Sequence, residues 1–137
     1  MATLATTSTR SAPTPLNCFR RFIYLEQEKY DVRLASFNSG KLHNAIPRDG
    51  RVVMAVPNDV KENVRADWNV FAHNVADEFH VTDTAMEFAM ESANAEKVLP
   101  SDVSRRLIMA LQGLTNGIFA ICQDPALGGM VETSSNI

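Results

Sequence analysis

The stretch NDVKENVRADWNVFAHNVADEFH, residues 58–80, carries the clearest structural signal in the chain. Its apolar side chains recur every three or four positions, which is the spacing of one face of an α-helix. Asn58 or Asp59 supplies a side chain of the type that caps a helix amino terminus. We therefore predict an amphipathic helix over residues 59–79, with this buried stripe: Val60, Val64, Trp68, Phe71, Val75 and Phe79.

Two histidines and an aspartate share the opposite face of that helix. At about 100° per residue, His73, Asp77 and His80 point away from the apolar stripe. They suit either a metal site or a polar face that meets solvent or a neighbouring subunit. Zinc needs four ligands, and the other imidazole and thiol groups, His43, Cys18 and Cys122, lack a diagnostic spacing. We therefore expect no metal and assign the three residues to an assembly interface.

Two further helices are predicted downstream. Thr84 with Glu87 forms a capping box, which indicates a helix over residues 83–97, and a third is expected over residues 102–123, before Pro125. The third helix carries Met109, Gly113, Gly117 and Ala120 on the side opposite its apolar face. Small residues permit close approach of a partner, so these four are also assigned to an assembly interface.

The segment before residue 58 is less clear. Residues 18–30 suit either a strand or a helix, and their aromatic and β-branched content favours a hairpin with the following residues. RVVMAV, residues 51–56, predicts a short buried strand. Residues 1–17 and 125–137 have the composition of extended arms. The predicted fold is α+β and mainly α: a β element over residues 18–56 and a three-helix bundle, in a single domain spanning residues 18–124.

Composition restricts the classes of protein that fit. Apolar residues make up 45% of the 137 residues, which is enough for a core without disulfides. No apolar run reaches the roughly 18 residues of a membrane span. The first 25 residues contain no acidic side chain and suit either an arm or an organelle transit peptide. We expect a virion or cytoplasmic location, with organelle import left open.

Charge is divided unevenly along the chain. Residues 1–56 carry eight basic and four acidic side chains, and residues 57–137 carry five basic and twelve acidic ones. Arginines interleaved with Phe19, Phe22, Tyr24 and Tyr30 suit phosphates and bases of single-stranded nucleic acid. The predicted nucleic-acid contacts are Arg20, Arg21, Arg33, Arg48, Arg51, Arg105 and Arg106.

Motifs of catalysis are missing from the sequence. It contains no G-x-S-x-G, no phosphate-binding loop and no paired-carboxylate motif, and Cys18 beside Arg20 and Arg21 is a weak thiolate candidate. We therefore predict no catalytic residue, no cofactor and no enzyme. The favoured function is a structural subunit of a homo-oligomer, a viral coat or nucleoprotein that packs nucleic acid. The alternatives are a binding or regulatory module of a larger complex and, third, a small metal-binding protein or enzyme.

Overall fold

Strands and helices alternate along most of the chain. The computed structural model describes residues 2–7, 14–40, 42, 45, 47–82 and 85–135. In chain order the elements are β1 (Ala2–Thr7), α1 (Pro15–Lys29), β2 (Arg33–Ser39), β3 (Asp49–Ala55), α2 (Lys61–Glu78), β4 (Glu87–Ser92), α3 (Ser101–Gly113), β5 (Gly117–Ile121) and β6 (Val131–Ser135). Short 3₁₀ turns lie at Asn58–Val60 and Pro125–Leu127.

The first six of these elements form one antiparallel sheet with two crossing helices. The strand order is β2-β3-β1-β4. β1 is central, because Leu4 lies opposite Val52 of β3 on one side and opposite Met90 of β4 on the other. A β-α-β-β-α-β chain in this order is the ferredoxin-like arrangement.

The core lies between one face of the sheet and the helices. In β3 the side chains of Val52 and Met54 are buried, whereas Arg51 is exposed and Val53 is only partly buried. This alternation is that of a sheet with one covered face. The buried cluster contains residues on or beside β2 and β3 and residues of all three helices. Its members are Phe19, Phe22, Ile23, Val32, Leu34, Val52, Met54, Val56, Val64, Trp68 and Ile108.

Trp68 is the aromatic centre of this core. Its ring lies 5.0 Å from that of Phe22 on α1 and 6.0 Å from that of Phe88 on β4, both edge to face. Edge-to-face packing adds roughly 0.5–1.5 kcal/mol per pair beyond the burial itself. One side chain of α2 therefore ties the helix to its neighbouring helix and to the far edge of the sheet.

Residues 18–30 belong to α1, so the predicted hairpin is wrong. Thr14 caps the helix, accepting a hydrogen bond from the Asn17 amide at 3.3 Å, and Pro15 occupies the first turn. Phe19, Phe22 and Glu26 then recur at helical spacing on its buried face. The helical spacing outweighs the β preference of the phenylalanines, because a helix places Phe19 and Phe22 on the same buried face.

The predicted helix over residues 59–79 corresponds to α2, but the predicted three-helix bundle is wrong, because residues 83–97 are not a helix. β4 occupies the middle of the predicted helix 83–97, and Phe88 and Met90 alternate toward the core while Glu87, Ala89 and Glu91 are exposed. The proposed Thr84 cap lies outside the described residues. Pairing with β1 supplies backbone partners that override the local helical preference.

The third predicted helix, 102–123, ends ten residues early. α3 stops at Gly113, where Leu114 takes up an extended conformation, and Gly117, with φ of +123°, begins β5. The β-branched and aromatic residues that follow suit a strand.

Both predicted arms contain strands instead. Residues 2–7 form the central strand of the sheet, and Val131–Ser135 pairs with β5. Ala, Ser and Thr suggested weak local structure, but backbone hydrogen bonds to two neighbouring strands hold β1 regardless of its composition. The predicted domain limits at residues 18 and 124 stay a prediction. Within the described part of the chain, no helix is long and apolar enough to cross a membrane.

Candidate functional site

α3 is fastened to the sheet edge by a buried serine. The Ser104 hydroxyl, fully buried, accepts a hydrogen bond from the Leu34 amide at 2.8 Å. The Leu99 amide donates to the Leu34 carbonyl at 2.9 Å. Arg20 of α1 donates to the carbonyls of Leu111 and Leu114 at the other end of α3. These contacts place the amino terminus of α3 beside the start of β2.

Asp31 lies at the meeting point of α1, β2 and α3. Its Oδ1 accepts a hydrogen bond from Ser101 Oγ at 2.5 Å, and its Oδ2 accepts one from Arg33 Nη2 at 2.6 Å. The hydrogen bond from Ser101, and then that from Arg33, lowers the pKa of the Asp31 carboxyl. We call Asp31, Ser101 and Arg33 the Asp31 junction.

Two concave surfaces adjoin the Asp31 junction, with volumes of about 290 and 300 Å³. The first is lined by Asp31, Arg33, Ala55, Val56, Pro57 and Val98. The second is lined by Gln27, Glu28, Lys29, Tyr30, Asp31, Ser101 and Arg105. Charges of both signs line the second. Its side chains can hold a small polar group by hydrogen bonds and ion pairs. The Ser101 hydroxyl donates to the Asp31 carboxylate, but the lowered pKa of Asp31 and its hydrogen bond from Arg33 make that carboxylate a weak general base.

A buried carboxylate lies close to the second surface. Glu26 is only 1% exposed, and its Oε1 accepts a hydrogen bond from Lys29 Nζ at 3.1 Å. Lys29 Nζ also donates to Asp67 of α2 at 2.8 Å. Burial raises the pKa of Glu26, and the lysine opposes that rise. The two carboxylates raise the pKa of Lys29, chiefly through the hydrogen bond to Asp67. The cluster joins α1 to α2.

The predicted histidine face lies at the carboxyl end of α2. His73 Nε2 is 3.5 Å from Asp77 Oδ2, and both side chains are about three-quarters exposed. His80 lies beyond the helix, where its Nδ1 is 2.6 Å from the Asp77 carbonyl oxygen. The structure thus brings the three residues together on an exposed surface, and their role as an assembly interface stays a prediction.

Most of the predicted nucleic-acid arginines have partners within the protein. Arg20 binds the end of α3, Arg21 pairs with Glu78 at 3.0 Å, Arg33 with Asp31, Arg51 with Glu91 at 3.2 Å and Arg106 with Asp102 at 2.8 Å, while Arg48 and Arg105 are exposed. Phe19 and Phe22, the aromatics expected beside them, are buried in the core. Nucleic-acid contact stays a prediction.

The small-residue face predicted on one helix is divided between two elements. Met109 and Gly113 lie on α3 and are exposed, whereas Gly117 and Ala120 lie on β5. The four residues therefore do not form one helical stripe. Their role in assembly stays a prediction.

Thiol and metal chemistry find little support in the described residues. Burial raises the pKa of the Cys18 thiol to about 12, against the opposing effect of Arg21. Cys18 is therefore not an activated nucleophile.

Among residues 2–7, 14–40, 42, 45, 47–82 and 85–135, no three His, Cys, Asp or Glu side chains come together in a way that could hold a metal ion.

No pattern in the sequence relates the residues of the Asp31 junction to one another. Asp31 and Ser101 are 70 positions apart, and neither belongs to a motif with a fixed spacing. Apolar periodicity indicates which face of an element is buried, but it does not indicate which polar residues meet when β2 and α3 pack together. Arg33 was predicted only as a nucleic-acid contact.

Comparison with known proteins relates the chain to dipeptidases. It is 30% identical over 118 residues to the cytosol non-specific dipeptidase of Escherichia coli K12, a match that covers 85% of this chain and 24% of that protein. The fold resembles part of the crystal structure of aminoacylhistidine dipeptidase from Vibrio alginolyticus, with a TM-score of 0.85 and 24% identity over 99% of this chain and 30% of that one. No family model matches. The chain thus spans between a quarter and a third of the length of these relatives.

These relatives overturn the predicted function. The non-enzymatic structural subunit, and with it the viral coat or nucleoprotein and the virion, is wrong: both similar proteins are dipeptidases, which are enzymes. The uneven charge that suggested an anionic partner has an internal explanation. Lys29 and two arginines of the basic half pair with acids of the other half, as Arg21–Glu78, Lys29–Asp67 and Arg51–Glu91.

Proposed function

We propose that this chain is a domain of a dipeptidase-type enzyme. The observation that supports this most directly is a likeness that runs through nearly the whole chain. The fold matches over 99% of the chain, and 118 residues of sequence align at 30% identity with a second dipeptidase. The likeness therefore includes the α3 and β5–β6 elements that follow the ferredoxin-like core.

Within such an enzyme, the chain supplies a rigid scaffold and polar surface, while bond cleavage takes place on the remaining polypeptide. The described carboxylates of the Asp31 junction and of the Glu26 cluster are engaged with Arg33, Ser101 and Lys29. Carboxylates held in this way suit positioning of a substrate or of neighbouring polypeptide better than proton transfer, which needs a group free to exchange its proton.

A chimeric enzyme tests this proposal. The 118-residue segment of the Escherichia coli dipeptidase that aligns with this chain is replaced by the corresponding residues of the chain. We expect the chimera to fold and to hydrolyse a dipeptide, measured by release of free amino acid. The matched control carries a Gly/Ser linker in place of the segment and should be inactive. A folded chimera with no more activity than the linker control contradicts the proposal.

A separate experiment tests the proposal that bond cleavage takes place on the remaining polypeptide. The 137-residue chain alone, incubated with the same dipeptide at the same molar concentration as the chimera, should release no amino acid above the rate in buffer. Turnover by the chain alone would show that the cleaving groups lie within it.

A further inference from the structure

The β5–β6 hairpin has little contact with the rest of the described structure. Its two strands pack extensively only on each other, with hydrogen bonds such as Cys122 N to Met130 O at 2.8 Å. Among the described elements, no helix and no strand of the four-stranded sheet covers either of its faces to a comparable extent. The hairpin therefore gains almost no burial from the core that stabilises the other elements.

The uncovered hairpin is strongly apolar. Ile118 and Phe119 are 61% and 54% exposed. Every residue of β5 except Ala120 is exposed, so neither face of the strand is covered by the described structure. The exposed apolar side chains of the hairpin and its turn are Ile118, Phe119, Ile121, Leu127, Met130 and Val131. A continuous apolar run such as GIFAI is typical of a strand that is covered on both sides.

The free edge of β5 lacks the charged residues and prolines that protect many edge strands. Gly117–Ile121 contains no charged residue and no proline. Natural edge strands are protected by such residues, and a hairpin of two strands is only marginally stable in water. Both observations indicate that β5 has another strand beside it in the working protein.

We propose that polypeptide outside residues 1–137 of the same dipeptidase-type enzyme adds a strand to β5 and packs on both faces of the hairpin. This inference rests on the proposed function. The fold of the Vibrio alginolyticus enzyme matches this chain through its last elements but comprises more than three times as much polypeptide. A second copy of the chain is the poorer occupant, because a single two-fold contact covers one edge or one face of the hairpin and leaves the other face in water.

Hydrogen exchange on the chain alone is the first test. Without its cover, the hairpin should open far more readily than the core sheet. We expect amides of Gly117–Ile121 to exchange roughly 100-fold faster than those of Val52 and Met54. Equal protection of the two sets would mean that the hairpin is stable without a partner, which overturns the inference.

The chimera described above supplies the second test, through Ile118→Lys. In the chimera, a lysine at a covered position should lower the Tm by at least about 5 °C. In the chain alone, the same change should leave the Tm unchanged. The matched control is Val81→Lys, because Val81 is also apolar and 80% exposed but lies away from the hairpin, after α2. It should have little effect in either protein.

The outcomes separate the two proposals. An active chimera in which both lysine variants have the same Tm overturns the docking inference and leaves the proposed function standing. A folded but inactive chimera that Ile118→Lys destabilises contradicts the proposed function and supports the docking. Sedimentation of the chain alone as a dimer that Ile118→Lys dissociates would make a second copy the occupant and overturn the inference.

Discussion

At the scale of single residues, buried polar groups determine how the elements fit as much as the apolar core does. Ser104 and Glu26 are both almost completely buried. Ser104 satisfies the Leu34 amide, which would otherwise lack a partner at the β2 edge. Glu26 accepts a hydrogen bond from Lys29 through Oε1, while its Oε2 has no partner in the described structure. A buried carboxylate of this kind makes stability depend on pH.

Glu26→Gln should change the pH dependence of stability in a definite direction. Burial raises the folded-state pKa of Glu26 above its unfolded value of about 4.3. A raised pKa means that its contribution to stability is fully present below pH 4 or so and is lost as the pH rises through the folded-state pKa. Glutamine does not ionise, so the variant does not lose this contribution to the free energy of unfolding as the pH rises. The free energy of unfolding of the variant, relative to wild type, should therefore increase as the pH rises from 4 toward 8.

Urea denaturation at several pH values measures this difference. The control is Glu28→Gln, which removes an exposed carboxylate two positions along the same helix. It should leave the shape of the wild-type pH profile unchanged. If the two variants follow the same profile, burial of Glu26 does not govern the effect.

At the scale of elements, α1 approaches β3 closely at Gly50. A Cβ atom on Gly50 would lie 2.6 Å from Pro15 Cβ and 2.9 Å from Phe19 Cε2. Glycine at this position lets the first turn of α1 rest directly on the strand. The distance between helix and sheet is therefore set by a missing side chain as well as by the large ones.

Gly50→Ala should destabilise the protein by roughly 1–3 kcal/mol, because overpacking forces α1 away from β3. Gly113→Ala is the matched control. It adds the same methyl group at the end of α3, where no heavy atom lies within 4 Å. The control should be neutral or stabilising by up to about 1 kcal/mol, since alanine is the better helix former. Chemical denaturation measures both, and equal effects would refute the close approach.

β4 is an element whose local sequence favours the wrong secondary structure. Residues 85–92 contain good helix formers and were predicted to be helical, yet Phe88 and Met90 face the core as alternating residues of a strand. The spacing of apolar residues was compatible with both periods over so short a segment. Pairing with β1, which is 80 positions away in sequence, decided between them.

At the scale of the whole molecule, the order of strands makes the amino-terminal segment indispensable. β1 hydrogen-bonds to β3 and β4 at once. Without it, β4 has no strand beside it and the covered face of the sheet loses its centre. The β5–β6 hairpin, by contrast, contributes little to the core.

Two deletions should therefore differ sharply. Deletion of residues 2–7 should abolish cooperative thermal unfolding, followed by circular dichroism. Deletion of residues 115–137, although more than three times longer, should keep a cooperative transition, because the sheet and its three helices remain. A cooperative transition in the first variant would show that β1 is dispensable, as expected of an arm.

The candidate site is assembled from residues that are far apart in sequence, so it could not be located from local patterns. The residues that line the Asp31 junction come from α1, β2 and α3, and no fixed spacing relates them. His73 and Asp77, singled out from the sequence, lie together on an exposed face of α2 and line neither concave surface, whereas Arg33 and Arg105 line one each. A pattern within one element cannot reveal a surface built from three.

The sequence by itself determined the helix that carries Trp68, the strand around Val52 and Met54, and the lack of a membrane-length apolar run. These follow from local periodicity, because one buried face leaves a regular trace along the chain. Only the tertiary structure decided that residues 2–7 are a central strand, that β4 is not a helix, and that Asp31 meets Ser101. Those outcomes depend on backbone pairing and on contacts between segments distant in sequence, which leave no periodic trace in it.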